Sequence, residues 1–183
     1  MAVKSANIKA FINKWSGKGR EDEDDRSYWI DLLQDVFELT GVTSRIEFQK
    51  KVIGPDGNTK RIDAYIPETH VLIEQKSLPI QLDKPQASHN GMTPYEQAKM
   101  YDNSLPRSEK ARWIITSNFA EIWIYDMDTK KPEDSVLKID LENLDKDYKK
   151  LAIIYDPQIE QINKELEISQ GAGEQIGRIY DAL

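Results

Sequence analysis

The chain contains no cysteine, which excludes a disulfide framework and any thiolate zinc site. Histidine is nearly as scarce, with His70 and His89 alone, and neither has an evident histidine partner for metal binding. No apolar run approaches the ~20 residues that a membrane helix needs, and no secretory signal pattern opens the chain. Both absences point to a cytoplasmic protein with no membrane partner. Excess positive charge is missing too: 25 Lys and Arg stand against 32 Asp and Glu, a formal net charge of −7. That balance argues against a module dedicated to nucleic-acid binding, whose surface should be basic. The acids are unevenly spread, however. Glu21 to Asp25 form one cluster, while basic residues gather at Lys50-Lys51, Lys60-Arg61, Arg107 to Arg112 and Lys130-Lys131. Local contact with a polyanion stays open.

What is present suits one domain with a proper core, given 183 residues. Ile8, Phe11, Ile12 and Trp15 recur at helical spacing within Asn7 to Trp15. A second helix is expected from about Ser27 to Thr40, where Tyr28, Trp29, Leu32, Leu33, Val36 and Phe37 form a broad apolar stripe. Gly41 would cap it. A strand over Arg45 to Val52 and a Gly54 to Asn58 turn lead into a hairpin, giving a three-stranded meander. Thr93-Pro94-Tyr95-Glu96 is a strong helix start, combining an N-cap, Pro at the first position and a capping box. Strands over Arg112 to Thr116 and Glu121 to Tyr125 follow, then an edge strand near Ser135 to Ile139 and further helix. A helix crossing between strands requires a parallel pair. The expected fold is therefore α/β, a mixed central sheet flanked by helices.

The hairpin carries the chemistry. If Pro67 to His70 close its loop, Ile66 pairs with Val71, and counting outward puts Asp63 directly opposite Glu74. Opposed side chains lie about 4.5–5.5 Å apart at Cβ, so the two carboxylates repel unless a cation lies between them. A hard divalent ion such as Mg2+ would resolve the conflict. Lys76 shares the Glu74 face, two residues on. Tyr65 and Leu72 also fall on that face, so the acids are at least partly covered, and buried like charges need a reason. Cross-strand acids on a solvated sheet face are the alternative.

Asp63 followed by Glu74-x-Lys76, on the second and third strands of this element order, resembles the PD-(D/E)XK nuclease fold, with Ile62 in place of the leading Pro. Gln97-x-x-x-Tyr101 on the next helix resembles the Gln-x-x-x-Tyr signature of RecB-like members. Residues four apart share a helix face, so both could face a DNA backbone; a helix end with a core tyrosine fits equally. A narrower resemblance covers nearly the whole chain. It rests on Tyr28-Trp29-Ile30-Asp31-Leu32-Leu33, Ile62-Asp63-Ala64-Tyr65-Ile66-Pro67, Leu72-Ile73-Glu74-Gln75-Lys76-Ser77, Leu82-Asp83-Lys84-Pro85-Gln86 and Thr93-Pro94-Tyr95-Glu96-Gln97-Ala98. These are similar to the N-terminal endonuclease domain of MmeI-like (type IIG/IIL) restriction–modification enzymes.

The resemblance implies an endonuclease acting on double-stranded DNA with Mg2+, for which Mn2+ may substitute. Asp63, Glu74 and the backbone carbonyl of Gln75 would hold the metal, and Lys76 would act at the attacking water. It also implies an additional acid before the second helix, for which Glu21 and Asp24 are the nearest positions, and a second copy for double-strand cleavage. Residues 1–156 would form the nuclease-like domain, and 157–183 the start of a helical spacer. S-adenosylmethionine would belong only to a methyltransferase domain absent from this chain, since no Asn/Asp-Pro-Pro-Tyr/Phe motif is present.

Three readings follow: a catalytic nuclease, a catalytically silent scaffold or DNA clamp, and a stand-alone repair nuclease. His70 falls in a turn and His89 in a polar loop that could border the site. Trp113, Trp123 and Tyr125 read most simply as sheet residues. Gly171-Ala172-Gly173 with Gly177 does not complete a nucleotide-binding fingerprint.

Overall fold

The segment Val71–Gln75 is buried at every position, as a strand covered on both faces must be. It is β3 in a computed structural model that describes residues 3–158. Around it lie β1 (Glu47–Ile53), β2 (Thr59–Ile66), β4 (Trp113–Ser117), β5 (Glu121–Asp126) and β6 (Leu137–Asp140). All six form one sheet in chain order. Only the β3–β4 pair is parallel, because the chain leaves β3 and returns through a helix. The expected mixed α/β sheet with flanking helices is the observed fold.

One face is covered by α1 (Ser5–Trp15) and α2 (Glu21–Asp31), which runs on as a π-helical turn over Leu32–Val36. Phe11, Trp15, Tyr28, Trp29 and Phe119 are buried there against Ile73 and Ile115. The other face carries α4 (Pro94–Ser104), whose Tyr95, Ala98 and Tyr101 pack on Ile62, Tyr65, Leu72 and Ile114. The short α3 (Val42–Arg45) and α5 (Leu144–Asp147) complete the α-helical elements among the described residues.

Several boundaries differ from expectation. The second helix begins at Glu21, six residues early. Asp24 accepts a hydrogen bond from the Arg20 N–H at 2.9 Å, and acids in the first turn favour the positive end of the helix dipole. Gly41 does not cap it. The helix closes at Glu38 (φ 54°), with the Leu39 N–H bonded back to the Leu33 carbonyl at 3.0 Å, and Gly41 (φ 65°) opens α3 instead. After β6 there are short turns, Leu141–Asn143 and Tyr148–Ile154 around α5, rather than a continuous helix. The spacer expected over 157–183 lies almost wholly outside the described residues, as does the glycine cluster near Gly171.

One feature of the meander positions the site. β1 and β2 keep a constant register through Phe48↔Ala64 and Lys50↔Ile62. Yet Ala64 packs with the α1/α2 core, and Ile62 with the α4 core. Residues two apart should share a face, so the ribbon rotates between them, at Asp63 and its partner Gln49 (φ 56°).

Candidate active site

β2 and β3 pair through Ile66↔Val71, Tyr65↔Leu72 and Ala64↔Ile73, the expected hairpin register. The backbone ladder then stops, one pair short of Asp63 and Glu74. Beyond this fork β2 continues with β1 alone, while Glu74 and Gln75 pair with Thr116 and Ser117 of β4. Asp63 sits in the fork and fills the gap: its Oδ2 accepts the Gln75 backbone N–H at 2.8 Å. Its Oδ1 receives only a long 3.4 Å contact from Gln49 Nε2.

Glu74 and Lys76 are each 1% exposed. Glu74 Oε1 lies 2.7 Å from Lys76 Nζ, whereas Glu74 Oε2 is buried with no hydrogen-bond partner. The Gln75 side chain serves structure: its Oε1 accepts from Trp29 Nε1 at 3.0 Å and its Nε2 donates to the Lys76 carbonyl at 3.1 Å. Only its backbone is thus available to the site. β3 ends where the Lys76 N–H bonds to the Ser117 carbonyl at 2.7 Å.

Glu21 reaches the same lysine, with Oε1 3.4 Å from Lys76 Nζ. Two bonds dock the start of α2 on the end of β3: Leu78 N–H to the Gly19 carbonyl at 3.1 Å and Glu21 N–H to Ser77 Oγ at 3.0 Å. Gly19 makes this approach possible. It holds φ +134°, and a Cβ there would stand 2.1 Å from the Phe119 ring. Asp24 is occupied at the helix start. Asp25 is the acid that sequence reasoning missed: it is buried, and its charge bears on Asp63. Once α2 is known to start at Glu21, the spacing carries the signal: Asp25 is one turn from Glu21 and three or four residues from Tyr28 and Trp29, hence on the inward face of α2.

The electrostatics reflect this crowding. Burial, reinforced by Glu21 and Asp25, pushes the Asp63 carboxyl up to about 6 despite the Gln75 N–H and Lys76. Burial and the Asp63 charge push Glu74 well above the carboxylate range. Burial pulls the Lys76 ammonium down, but Glu74 and Glu21 outweigh it and the net shift is upward.

On α4, Gln97 Nε2 donates to the Tyr101 hydroxyl at 2.9 Å, and both side chains are buried. Burial, and then the Glu74 charge, raise the Tyr101 pKa. Gln97 Oε1 has no partner. The helix is aimed by its capping box, with Glu96 N–H on Thr93 Oγ1 at 3.2 Å and Thr93 N–H on Glu96 Oε2 at 2.8 Å. Burial, then the Lys76 charge, lowers the His89 pKa, and its Nδ1 lies 2.9 Å from Ser88 Oγ. His70 is elsewhere, 3.3 Å from the Tyr65 hydroxyl. Tyr125 is a core residue stacked on Tyr95 at 4.1 Å, while Trp113 and Trp123 lie half-buried under Arg112 and Lys138.

Among the described residues no three carboxylate or imidazole side chains already stand together as a ligand set. The residues at the fork nevertheless fit a hard cation. Two carboxylates share the fork, Glu74 buried and Asp63 half-buried, both with raised pKa values, and one Glu74 oxygen is orphaned. A bound divalent ion would relieve each of these penalties.

Comparison with known proteins agrees with the geometry. No curated protein matches the sequence. The cryo-EM structure of a DrdV–DNA complex is similar to 88% of this chain, with a TM-score of 0.51 and 16% identity. At that identity the likeness is one of fold, and this chain spans only 15% of that one. The sequence profile described as MmeI, N-terminal domain matches residues 5–183, and the chain belongs to that family.

Proposed function

We propose that this domain is the Mg2+-dependent endonuclease of a type IIL restriction–modification enzyme, hydrolysing phosphodiester bonds in double-stranded DNA. The observation that carries the reading is the buried Glu74–Lys76 pair beside Asp63, at a fork where pairing would otherwise have continued. A scaffold has no use for acids that destabilise its centre. The DrdV chain was solved with DNA, which supports the same partner here.

Asp63, Glu74 and the Gln75 carbonyl would hold Mg2+, or Mn2+ in its place. When bound, such an ion lowers the pKa of water and neutralises charge at the phosphate. The Gln75 N–H orients the Asp63 carboxylate, leaving Oδ1 toward the site. Lys76 offers its ammonium to the attacking water and to the transition-state charge on the phosphoryl oxygens. Glu21 and Glu74 hold that ammonium in place, and Asp25 supplies further negative charge beside Asp63. Gln97 and Tyr101 form the wall where the DNA backbone enters. Water attacks phosphorus, the bond to the 3′-oxygen breaks, and the products carry 5′-phosphate and 3′-hydroxyl ends.

The nuclease domain ends near residue 156 and the spacer begins there. Base recognition and S-adenosylmethionine-dependent methylation belong to other parts of the parent enzyme, and a second copy supplies the other strand's cut.

Mg2+ titration by calorimetry, on the 183-residue chain and on Asp63→Ala, tests the reading. Binding that disappears in the variant is expected. A folded wild type that binds no Mg2+, with or without duplex DNA, selects the silent scaffold instead.

A further inference from the structure

Beyond the fork, β1 and β2 continue as a two-stranded ribbon through Lys51↔Arg61 and Ile53↔Thr59, with no third strand beside it among the described residues. An isolated two-stranded ribbon is marginal in water. This one is held from one side: Val52 and Ile62 are buried with α4. Side chains alternate, so Lys51 and Arg61 lie on the opposite face, and both are exposed.

The two cations are direct cross-strand partners, an arrangement that is destabilising. Their neighbours on the ribbon are neutralised. Lys50 meets Glu47 at 2.8 Å and Glu109 at 3.1 Å, and Lys60 meets Asp56 at 3.0 Å. Among the described residues neither Lys51 nor Arg61 has an ion pair, in a chain with a net charge of −7. Acids are plentiful, so two opposed cations left unpaired on the ribbon that carries Asp63 call for an external anion. Arg61 stands two residues from Asp63, about 6.6 Å along the strand. That is about two nucleotides at 3.4 Å rise per nucleotide. Ile53, the most exposed large apolar residue described, is on the same face nearer the tip.

We infer that the exposed face of the β1–β2 ribbon is a DNA-backbone contact, with Lys51 and Arg61 each neutralising a phosphate of the duplex beyond the fork. A two-stranded ribbon is narrow enough to follow a groove. The inference rests on the nuclease reading only for the placement of DNA at the fork, and it adds a positioning surface to it.

The test is binding of a labelled 30-base-pair duplex by the 183-residue chain, followed by anisotropy from 20 to 200 mM salt without divalent metal. Wild type is compared with Lys51→Gln/Arg61→Gln and with Lys9→Gln/Lys149→Gln, which removes the same charge at exposed positions away from the ribbon. Two lost phosphate contacts should reduce the slope of log affinity against log salt by about 1.8. Over a fourfold rise in salt, wild type should then lose roughly tenfold more affinity than the ribbon variant. Lys51→Gln alone should raise the melting temperature by about 1–2 °C through relief of the opposed charges.

Equal slopes in the ribbon variant and wild type, equal losses in both double variants, or no wild-type binding at 20 mM salt would each overturn the inference. Mg2+ binding at Asp63 judges the nuclease reading separately. A slope loss without Asp63-dependent metal binding would leave the ribbon as the contact of a DNA clamp.

Discussion

The two faces of one sheet are built to opposite rules. Under α1 and α2, Phe11, Trp15, Tyr28 and Phe119 interlock at centroid distances of 5.1–6.5 Å, and the indole N–H of Trp29 is satisfied by Gln75. Under α4, the end of β3 presents Glu74 and Lys76 and the helix itself presents Gln97 and Tyr101, all buried, with Glu74 and Gln97 incompletely bonded. The first face stabilises the sheet. The second draws on that stability to keep Glu74 and Lys76 away from water, with Asp63 half-buried beside them. Gln75 and Glu74 are neighbours in sequence, yet each belongs to a different face and a different task.

Breaking the stabilising face should have the largest effect. Trp29→Ala is expected to cost about 3–5 kcal/mol, and it also leaves Gln75 Oε1 buried and unpaired. Urea denaturation checks this, and a loss below about 1 kcal/mol would show that the two faces are less specialised than they look. Mg2+ sharpens the comparison from the other side. At a concentration 100 times its dissociation constant it should stabilise wild type by about 2.7 kcal/mol, read as a rise in melting temperature that Asp63→Ala lacks.

A smaller effect is expected from removing charge at the fork. Asp63 titrates at about 6 in the folded protein, above the ~3.9 of an unfolded chain. The folded state therefore binds that proton more tightly, and its contribution to stability falls as pH rises through roughly 4 to 6. Asp63→Asn keeps an oxygen acceptor for the Gln75 N–H while removing the charge. It should raise stability by about 1–2 kcal/mol at pH 7.5, with no gain at pH 4, where both forms are neutral. Melting curves across that range decide it; an equal gain at both pH values would show that electrostatics is not the cause. The smallest change is Thr93→Ala, which removes the capping box of α4 at a cost of about 1 kcal/mol. Since α4 holds Gln97 and Tyr101, the proposed DNA cleavage should fall by more than that loss alone accounts for.

Much of this contrast was readable beforehand. The Ile66↔Val71 register follows from the Pro67 to His70 loop and the strand alternation, so Asp63 and Glu74 could be matched by counting. The capping box at Thr93 is a local hydrogen-bond pattern and appeared where its residues demanded. The start of α2 was missed because the apolar stripe begins only near Tyr28, whereas the Asp24 carboxylate and the docking of Gly19 make the acids ahead of it a first helical turn. Asp25 was missed for the same reason, since without the helix its inward phase had no meaning.

What the sequence by itself determined are the features set within a few residues: strand periods, turn chemistry, helix caps, and the spacing of Asp63, Glu74 and Lys76. Only the tertiary structure decided that the ladder stops at Ala64↔Ile73, that Asp63 replaces the missing backbone acceptor, and that Glu21 meets Lys76 from 55 residues away. The physical reason is that each depends on segments remote in sequence. The two edges of β3 are filled independently: β4, whose place comes from a crossover through α4, pairs with it as far as Gln75, while β2 leaves the other edge after Ala64. No local pattern in the Asp63 strand encodes that outcome, and the fork where two acids and a lysine meet exists because of it.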